Sequence, residues 1–286
     1  MTFKLTTQTY KKISEFGDLI RDEYAKNGIN LPPNSFVMDY IKSAELLDSA
    51  WSKGDRTITE DKEKFSKVLE NTLECFRLGS ALKWAMNKNT LDRSLRHILK
   101  GSIDPTDKKR TEAKDFCFEL QIIEILESAG INADLIEPPD IVFTLDDLEL
   151  VIACKCAYSL GNLEKNIRKA TRQIVKAGKK GLIALSIDGL VDHLRLLLVK
   201  DEHEIHNLID GYATAFIRKY EKSFPFWIRS RNVIGIIISL STLTILRDRK
   251  LPTTAQYIII NPRCTENSPY FAKLEKLKSL LEERHI

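Results

Sequence analysis

Apolar residues recur at helical spacing through the first third of the chain. Tyr10, Ile13, Phe16, Ile20 and Tyr24 form one stripe that ends near Gly28. Leu31-Pro32-Pro33-Asn34-Ser35 breaks the pattern and supplies an N-cap, so the spacing predicts a second helix running to about Trp51. Ser52-Lys53-Gly54-Asp55 reads as a turn. Phe65, Leu69, Leu73 and Phe76 make a third stripe, and Leu91, Leu95 and Ile98 a shorter fourth. Residues 1 to about 100 therefore read as helices, and this part shows no catalytic constellation.

Gly101 to Arg110 marks a change of pattern, with Asp104-Pro105 and a short charged run at 107–110. Residues 1–105 read as a helical accessory or recognition module and 106–286 as an α/β domain. A helix is predicted from about Glu112 to Ala129, closed by Gly130 at the C′ position. A strand follows at 131–136. Asp140-Ile141-Val142-Phe143 and Leu148 to Tyr158 then read as a hairpin. A helix over 162–177, a strand over 182–187 and a polar, partly helical stretch over 201–222 come next. Val233 to Ile245 and Gln256 to Ile260 read as strands, and 269–284 as a charged closing helix.

Alternation sorts the second hairpin strand into two faces. Leu148, Leu150, Ile152, Cys154 and Cys156 fall on one, fit for a core, and Glu149, Val151, Ala153, Lys155 and Ala157 on the other. A lysine amid apolar strand residues is costly to bury unless a negative charge meets it. Asp140, at the mouth of the preceding strand, is the candidate partner. Glu119 shares a helical face with Phe116, Ile122, Ile123 and Leu126, while Gln121, Glu124 and Glu127 lie mostly away from it. An inward acid needs a partner. Either it forms a salt bridge to a core lysine or arginine, or it faces Asp140 and Lys155 across the helix–sheet interface.

Pro139-Asp140, followed thirteen residues on by Ala153-Cys154-Lys155, resembles the core of the PD-(D/E)XK nuclease superfamily, the restriction-endonuclease-like fold. The predicted order of helix, three strands, helix and strand is that family's αβββαβ core, here with a mixed sheet after an all-α N-terminal module. The resemblance implies metal-assisted phosphodiester hydrolysis with Mg²⁺ or Mn²⁺ as cofactor. Asp140 would be the principal ligand, Glu119 an auxiliary one, and the main-chain carbonyl of Cys154 a third. Lys155 would position or activate water. Gln173 resembles the glutamine that many members carry on the next helix.

Ala153 stands where the family has Asp or Glu. Glu149 is no substitute, since six residues of strand put it ~20 Å from Lys155, against ~7 Å for position 153. Three readings stand: an acid supplied by another element, a non-catalytic member, or a Glu→Ala change at position 153. The last is favoured because the surroundings of the gap are intact. As written, the chain is expected to be catalytically poor.

Lys165, Lys169, Arg172 and Lys176 follow at +4, +3 and +4 and form one basic ridge. Such a ridge is either a solvated face or, beside a nuclease site, a phosphate contact. Arg218, Lys219, Arg229 and Arg231 alternate with Tyr220, Phe224, Phe226 and Trp227, where the aromatics read as core. His203 and His206 lack a third ligand at metal spacing and read as a solvated pair. Neither a phosphate-binding glycine loop nor a nucleophile elbow is present.

Composition narrows the classes little. Net charge is +4, so nucleic-acid binding must come from local clusters. Five cysteines without CxxC or zinc spacing point to reduced, mostly buried thiols and a cytoplasmic setting. No signal peptide is visible, and Val233–Leu246 is too short and too rich in Ser and Thr to span a bilayer. The leading expectation is a DNA endonuclease, and by analogy a restriction or antiviral defence effector held by a regulatory or motor partner. The alternatives are an inactive nucleic-acid- or protein-binding subunit on the same fold, or an RNase. Self-association is left open.

Overall fold

A computed structural model describes residues 2–55, 57–104, 107, 109, 111–191, 196–247 and 251–283. Parts of the 101–110 boundary, residues 192–195 and 248–250, and Arg284, to which the closing helix is expected to run, lie outside the described residues.

The chain opens with a strand rather than a helix, contrary to the all-helical reading of residues 1–100. β1 (Thr2–Thr7) pairs antiparallel with a strand near the far end of the sequence, Thr2 opposite Ile258 and Thr7 opposite Thr253. Four helices follow: α1 (Tyr10–Lys26), α2 (Phe36–Lys53), α3 (Lys62–Ala85) and α4 (Leu91–Ile98). Side-chain oxygens fix three of their starts, because the first backbone N–H groups of a helix lack internal partners. Thr9 accepts from Lys12 N at 3.2 Å, Ser35 from Met38 N at 3.3 Å and Asp61 from Lys64 N at 3.0 Å. Gly54 ends α2 at φ 66°, a left-handed conformation that glycine adopts without steric cost.

Beyond the boundary come α5 (Glu112–Ser128), β2 (Ala133–Leu135), β3 (Ile141–Leu145), β4 (Leu148–Cys156), α6 (Leu163–Lys176) and β5 (Gly181–Ser186). This is the predicted helix, three strands, helix, strand. Gly130 follows α5 at φ 76°, as the C′ reading required. Then come β6 (Leu196–Val199), which the sequence reading lacked, α7 (Glu202–Tyr220), the single turn α8 (Phe224–Trp227), β7 (Val233–Leu246), β8 (Leu251–Pro262) and α9 (Pro269–Glu283).

The strands form one mixed sheet in the order β1-β8-β7-β5-β4-β3-β2, with β6 beside β7. β2, β3 and β4 are a meander of antiparallel pairs, while β4–β5 and β5–β7 are parallel. Parallel strands need both faces covered, and both are. On one face α5, backed by α1–α4, packs with Leu150, Ile152 and Cys154 of β4 in a core that runs unbroken from Tyr10 to Leu281. On the other, α6, α7 and α8 cover Val151, Ala153, Ile183, Leu185 and Ile238. The alternation along β4 is as read, but the face carrying Lys155 is itself a core. Val233–Leu246, the most apolar run, is the buried strand β7, and among the described residues no helix is long and apolar enough to cross a membrane.

Buried helices on that first face leave a polar joint. A cavity of about 50 Å³ between α3, α5, β7 and β8 is lined by Glu74, Arg77, Glu124 and Asp188, among others. Burial pushes the Glu74 carboxyl up to about 7 despite the Arg77 guanidinium beside it.

Candidate functional site

The site lies where β3 begins and β4 ends. Pro138 and Pro139, joined by a cis bond, deliver the chain to Asp140. The Asp140 backbone is locked into the sheet margin: its N–H donates to the Ile152 carbonyl at 3.0 Å and its carbonyl accepts from Ile136 N at 3.1 Å. Ile141 is in register with Ile152. That pairing brings the Asp140 carboxylate to the 154–155 peptide. Oδ2 accepts from Cys154 N at 2.6 Å and from Lys155 Nζ at 3.2 Å.

Lys155 and Asp140 keep only 14% and 11% of their side chains exposed, so this ion pair is screened far less than a surface one. The expected partner of the strand lysine is therefore the observed one. Lys155 Nζ also donates to the carbonyl of Cys154, the oxygen that the resemblance offers to a metal.

α6 supplies the next group. Leu163, Ile167, Ala170 and Ile174 bury its inner face as predicted. Gln173 stands at the margin of that face and donates from Nε2 to Asp140 Oδ1 at 3.3 Å. A carboxylate only accepts, which fixes the amide orientation and leaves Gln173 Oε1 buried with no donor. Asn166, two turns earlier on the same flank, donates to the Cys156 carbonyl at 3.1 Å and pins α6 to the end of β4. Its seven-residue spacing from Gln173 was the overlooked signal.

Glu119 approaches from α5, on the other face of the sheet. Burial holds its carboxyl well above the usual carboxylate range, and the charge of Asp140 raises it further. Asp115 acts in the same direction, while Lys155 and Arg93 oppose. The charges of Asp140 and Lys155 thus both bear on Glu119, in opposite directions. The helical-stripe argument for Glu119 needs correction, because α5 is buried nearly all round. Gln121, placed away from the core, is itself buried. Glu124 accepts from Lys4 and Ser80, and Glu127 from Lys88.

Asp115 is the acid that the sequence reading missed. It precedes Glu119 by one helical turn and accepts from the Tyr158 hydroxyl at 3.2 Å. Arg93 of α4 lies 5.3 Å from the Phe116 ring and pairs with Glu137, tying the helical layer to the mouth of β3.

Ala153 is fully buried between β5 and α6, opposite Ile183. Glu149 sits at the other end of β4, opposite Thr144, in an ion pair with Lys179. It does not reach the site, as the strand rise demands. Lys165, Lys169, Arg172 and Lys176 are all exposed, with no carboxylate partner among the described residues. His203 is exposed and His206 half-buried, its ring edge-on to Phe3 at 4.7 Å, so only the first is fully solvated. Of the 220–227 aromatics, Phe224 is core and Phe226 is not: it is 69% exposed.

No protein-family model and no curated protein sequence matches this chain, so the geometry alone carries the functional reading.

The donors fit a hard divalent cation in kind. Asp140, Glu119, the Cys154 carbonyl and the unsatisfied Gln173 Oε1 are all oxygens. They fall short in number. Among the described residues no group of three or more His, Cys, Asp or Glu is placed to hold a metal, and Ala153 occupies the position where a third carboxylate would stand.

Proposed function

We propose that this chain carries the framework of a metal-dependent DNA nuclease of the restriction-endonuclease-like type, disabled at position 153. One observation carries the reading: a single carboxylate, Asp140, receives both Lys155 and Gln173, and its charge helps hold a second carboxyl, Glu119, above the usual carboxylate range. Acids whose charges oppose one another cost stability, and such groups cluster at functional sites. The exposed basic ridge of α6 runs beside this cluster on the helix that bears Gln173.

Asp140 and Glu119, with the Cys154 carbonyl, would hold Mg²⁺ or Mn²⁺. When bound, such a cation polarises a phosphodiester and lowers the pKa of a water. The protein's own groups divide the remaining work. Gln173 orients Asp140, and Lys155 places a positive charge where negative charge grows on the phosphate oxygens. The ridge of Lys165, Lys169, Arg172 and Lys176 supplies sequence-independent phosphate contacts.

Plasmid cleavage in Mg²⁺ and Mn²⁺ tests this, comparing the chain with Ala153→Glu. Cutting by the Glu form alone, abolished by Lys155→Ala in that background, supports the proposal. A folded Ala153→Glu protein that cuts neither DNA nor RNA refutes it. The second reading, an inactive binding subunit, is favoured by the missing third carboxylate. It is distinguished by the absence of any thermal shift with Mn²⁺ in either form.

A further inference from the structure

An exposed aromatic on the turn that packs against the ridge-bearing helix points to the kind of strand this protein holds. α8 is one turn whose outer residues are anchored inward. Phe224 is fully buried, and Trp227 packs on Tyr220 and Phe224 with ring centroids 5.9 and 5.8 Å away. Two residues along a helix is a rotation of about 200°, so Phe226 is turned outward between these anchors. It is more exposed than any other large apolar side chain among the described residues. Arg229 closes the turn, its Nε donating to the Phe226 carbonyl at 3.2 Å.

This turn packs against α6 and bounds an open groove of about 440 Å³. Arg168, Arg172 and Lys176 line one wall with Val175, and Trp227 and Arg229 line the other. The groove has no acidic residue in its walls. Glu164 engages Arg168 at 2.7 Å, which leaves Arg172, Lys176 and Arg229 without a carboxylate partner among the described residues. Around α6, Gln173 lies on one flank of the ridge and Val175 on the other. A strand leaving the Asp140 cluster crosses one helix width, about 10–12 Å, to enter the groove.

We propose that this groove binds single-stranded DNA, with phosphates on Arg172, Lys176 and Arg229 and an unpaired base stacked on Phe226. Cations alone would serve any polyanion, a duplex or an acidic protein included. The outward ring of Phe226, next in the chain to Trp227 of the groove wall, favours an occupant that offers both phosphates and a bare π-face, and stacked, paired bases do not offer one. The inference deepens the nuclease reading by naming a substrate form and rests on that reading for its biological meaning.

Fluorescence anisotropy with the full chain in EDTA, where a metal-dependent activity is silent, separates binding from cleavage. The probes are a labelled oligothymidylate and a labelled hairpin duplex, with polyglutamate as competitor. Phe226→Ala is expected to weaken oligothymidylate binding about 10-fold and to leave duplex binding unchanged, while Phe226→Trp restores it. Arg172→Ala with Lys176→Ala is expected to lower the slope of log affinity against log salt by about 1.4 on the single strand.

The proposal is overturned if Phe226→Ala affects both probes equally or neither, or if polyglutamate displaces the oligonucleotide as well as unlabelled strand does. Single-strand binding that depends on Phe226, in a protein whose Ala153→Glu form never cuts, would sink the nuclease reading and leave this surface standing. Cleavage indifferent to Phe226 would do the reverse.

Discussion

Asp140→Asn probes the centre of the site, because three donors converge on that carboxylate. The asparagine oxygen, in the place of Oδ2, can keep both the Cys154 N–H and the Lys155 ammonium, but its amide then faces Gln173 Nε2, donor against donor, and the negative charge is gone. Lys155 is left with 14% exposure and no counter-charge. Breaking a buried ion pair costs about 3–5 kcal/mol. Water reaches both partners in part, which brings the expectation to about 2–4 kcal/mol. An opposing effect follows from Glu119, whose carboxyl is raised partly by Asp140. An acid whose folded pKa is raised contributes stability below its unfolded pKa, and loses it as pH rises through the folded value. Removing the Asp140 charge lessens that loss. The cost of Asp140→Asn should therefore be larger at a mildly acidic pH, where a raised Glu119 keeps its proton, and smaller at an alkaline pH, where that carboxyl is being driven to ionise. Urea titrations at both pH values, with Lys155→Met and the double variant, measure this. The double variant should cost less than the sum of the singles by at least about 1 kcal/mol. Additive costs, or a cost that grows with pH, would refute the arrangement.

Other outcomes follow from the same structure. Glu119→Gln should raise stability at neutral pH, because it removes a carboxyl that burial and Asp140 both penalise. A loss of stability in chemical denaturation would instead mean that Glu119 serves as a simple salt-bridge partner of Lys155. The Glu74 carboxyl, raised from the ordinary 4.5 to about 7 in a residue only 3% exposed, should draw stability down on the order of 3 kcal/mol as pH climbs across that interval. Glu74→Gln should flatten that segment of the stability profile, and an unchanged slope would count against it. Gly181→Ala should destabilise by about 1–3 kcal/mol in a thermal melt, because an added Cβ would lie 2.5 Å from the Val151 carbonyl oxygen and 2.7 Å from its Cγ2. A neutral substitution there would show that β4 and β5 can separate without cost.

Much of the fold was legible because local signals agreed with tertiary demand. The caps at Ser35 and the left-handed glycine at Gly130 sit where the apolar periodicity stops, so boundary and pattern reinforced each other. β1 was not legible. Thr2–Thr7 is six residues with two partly buried apolar side chains, Phe3 and Leu5, and only pairing with β8 makes it a strand. Strand preference is largely a matter of what lies across the sheet, and here the partner is some 250 residues away. β6 escaped for the same reason, being four residues recognised only by their alignment on β7.

The site divides along a similar line. Asp140 and Lys155 could be paired from sequence because a hairpin fixes register, and one strand rise excluded Glu149, which the structure places with Lys179. Gln173 entered through the family resemblance, and it stands at the margin of the apolar face of α6, where it donates to Asp140. Glu119 was harder. α5 lies between the sheet and helices α3 and α4, so it has little polar side from which an inward acid could be distinguished, and Gln121 is buried along with its apolar neighbours. What sets Glu119 apart is its charge environment, in which Asp140 and Asp115 oppose its ionisation and Lys155 and Arg93 favour it. Periodicity cannot encode that balance, because the four groups come from different elements. Position 153 shows the converse. Ala153 suits its place well, closely packed under α6 beside Ile183, where a carboxylate would be a desolvated third charge. Stability alone favours alanine there, and only a bound cation would make glutamate the better residue.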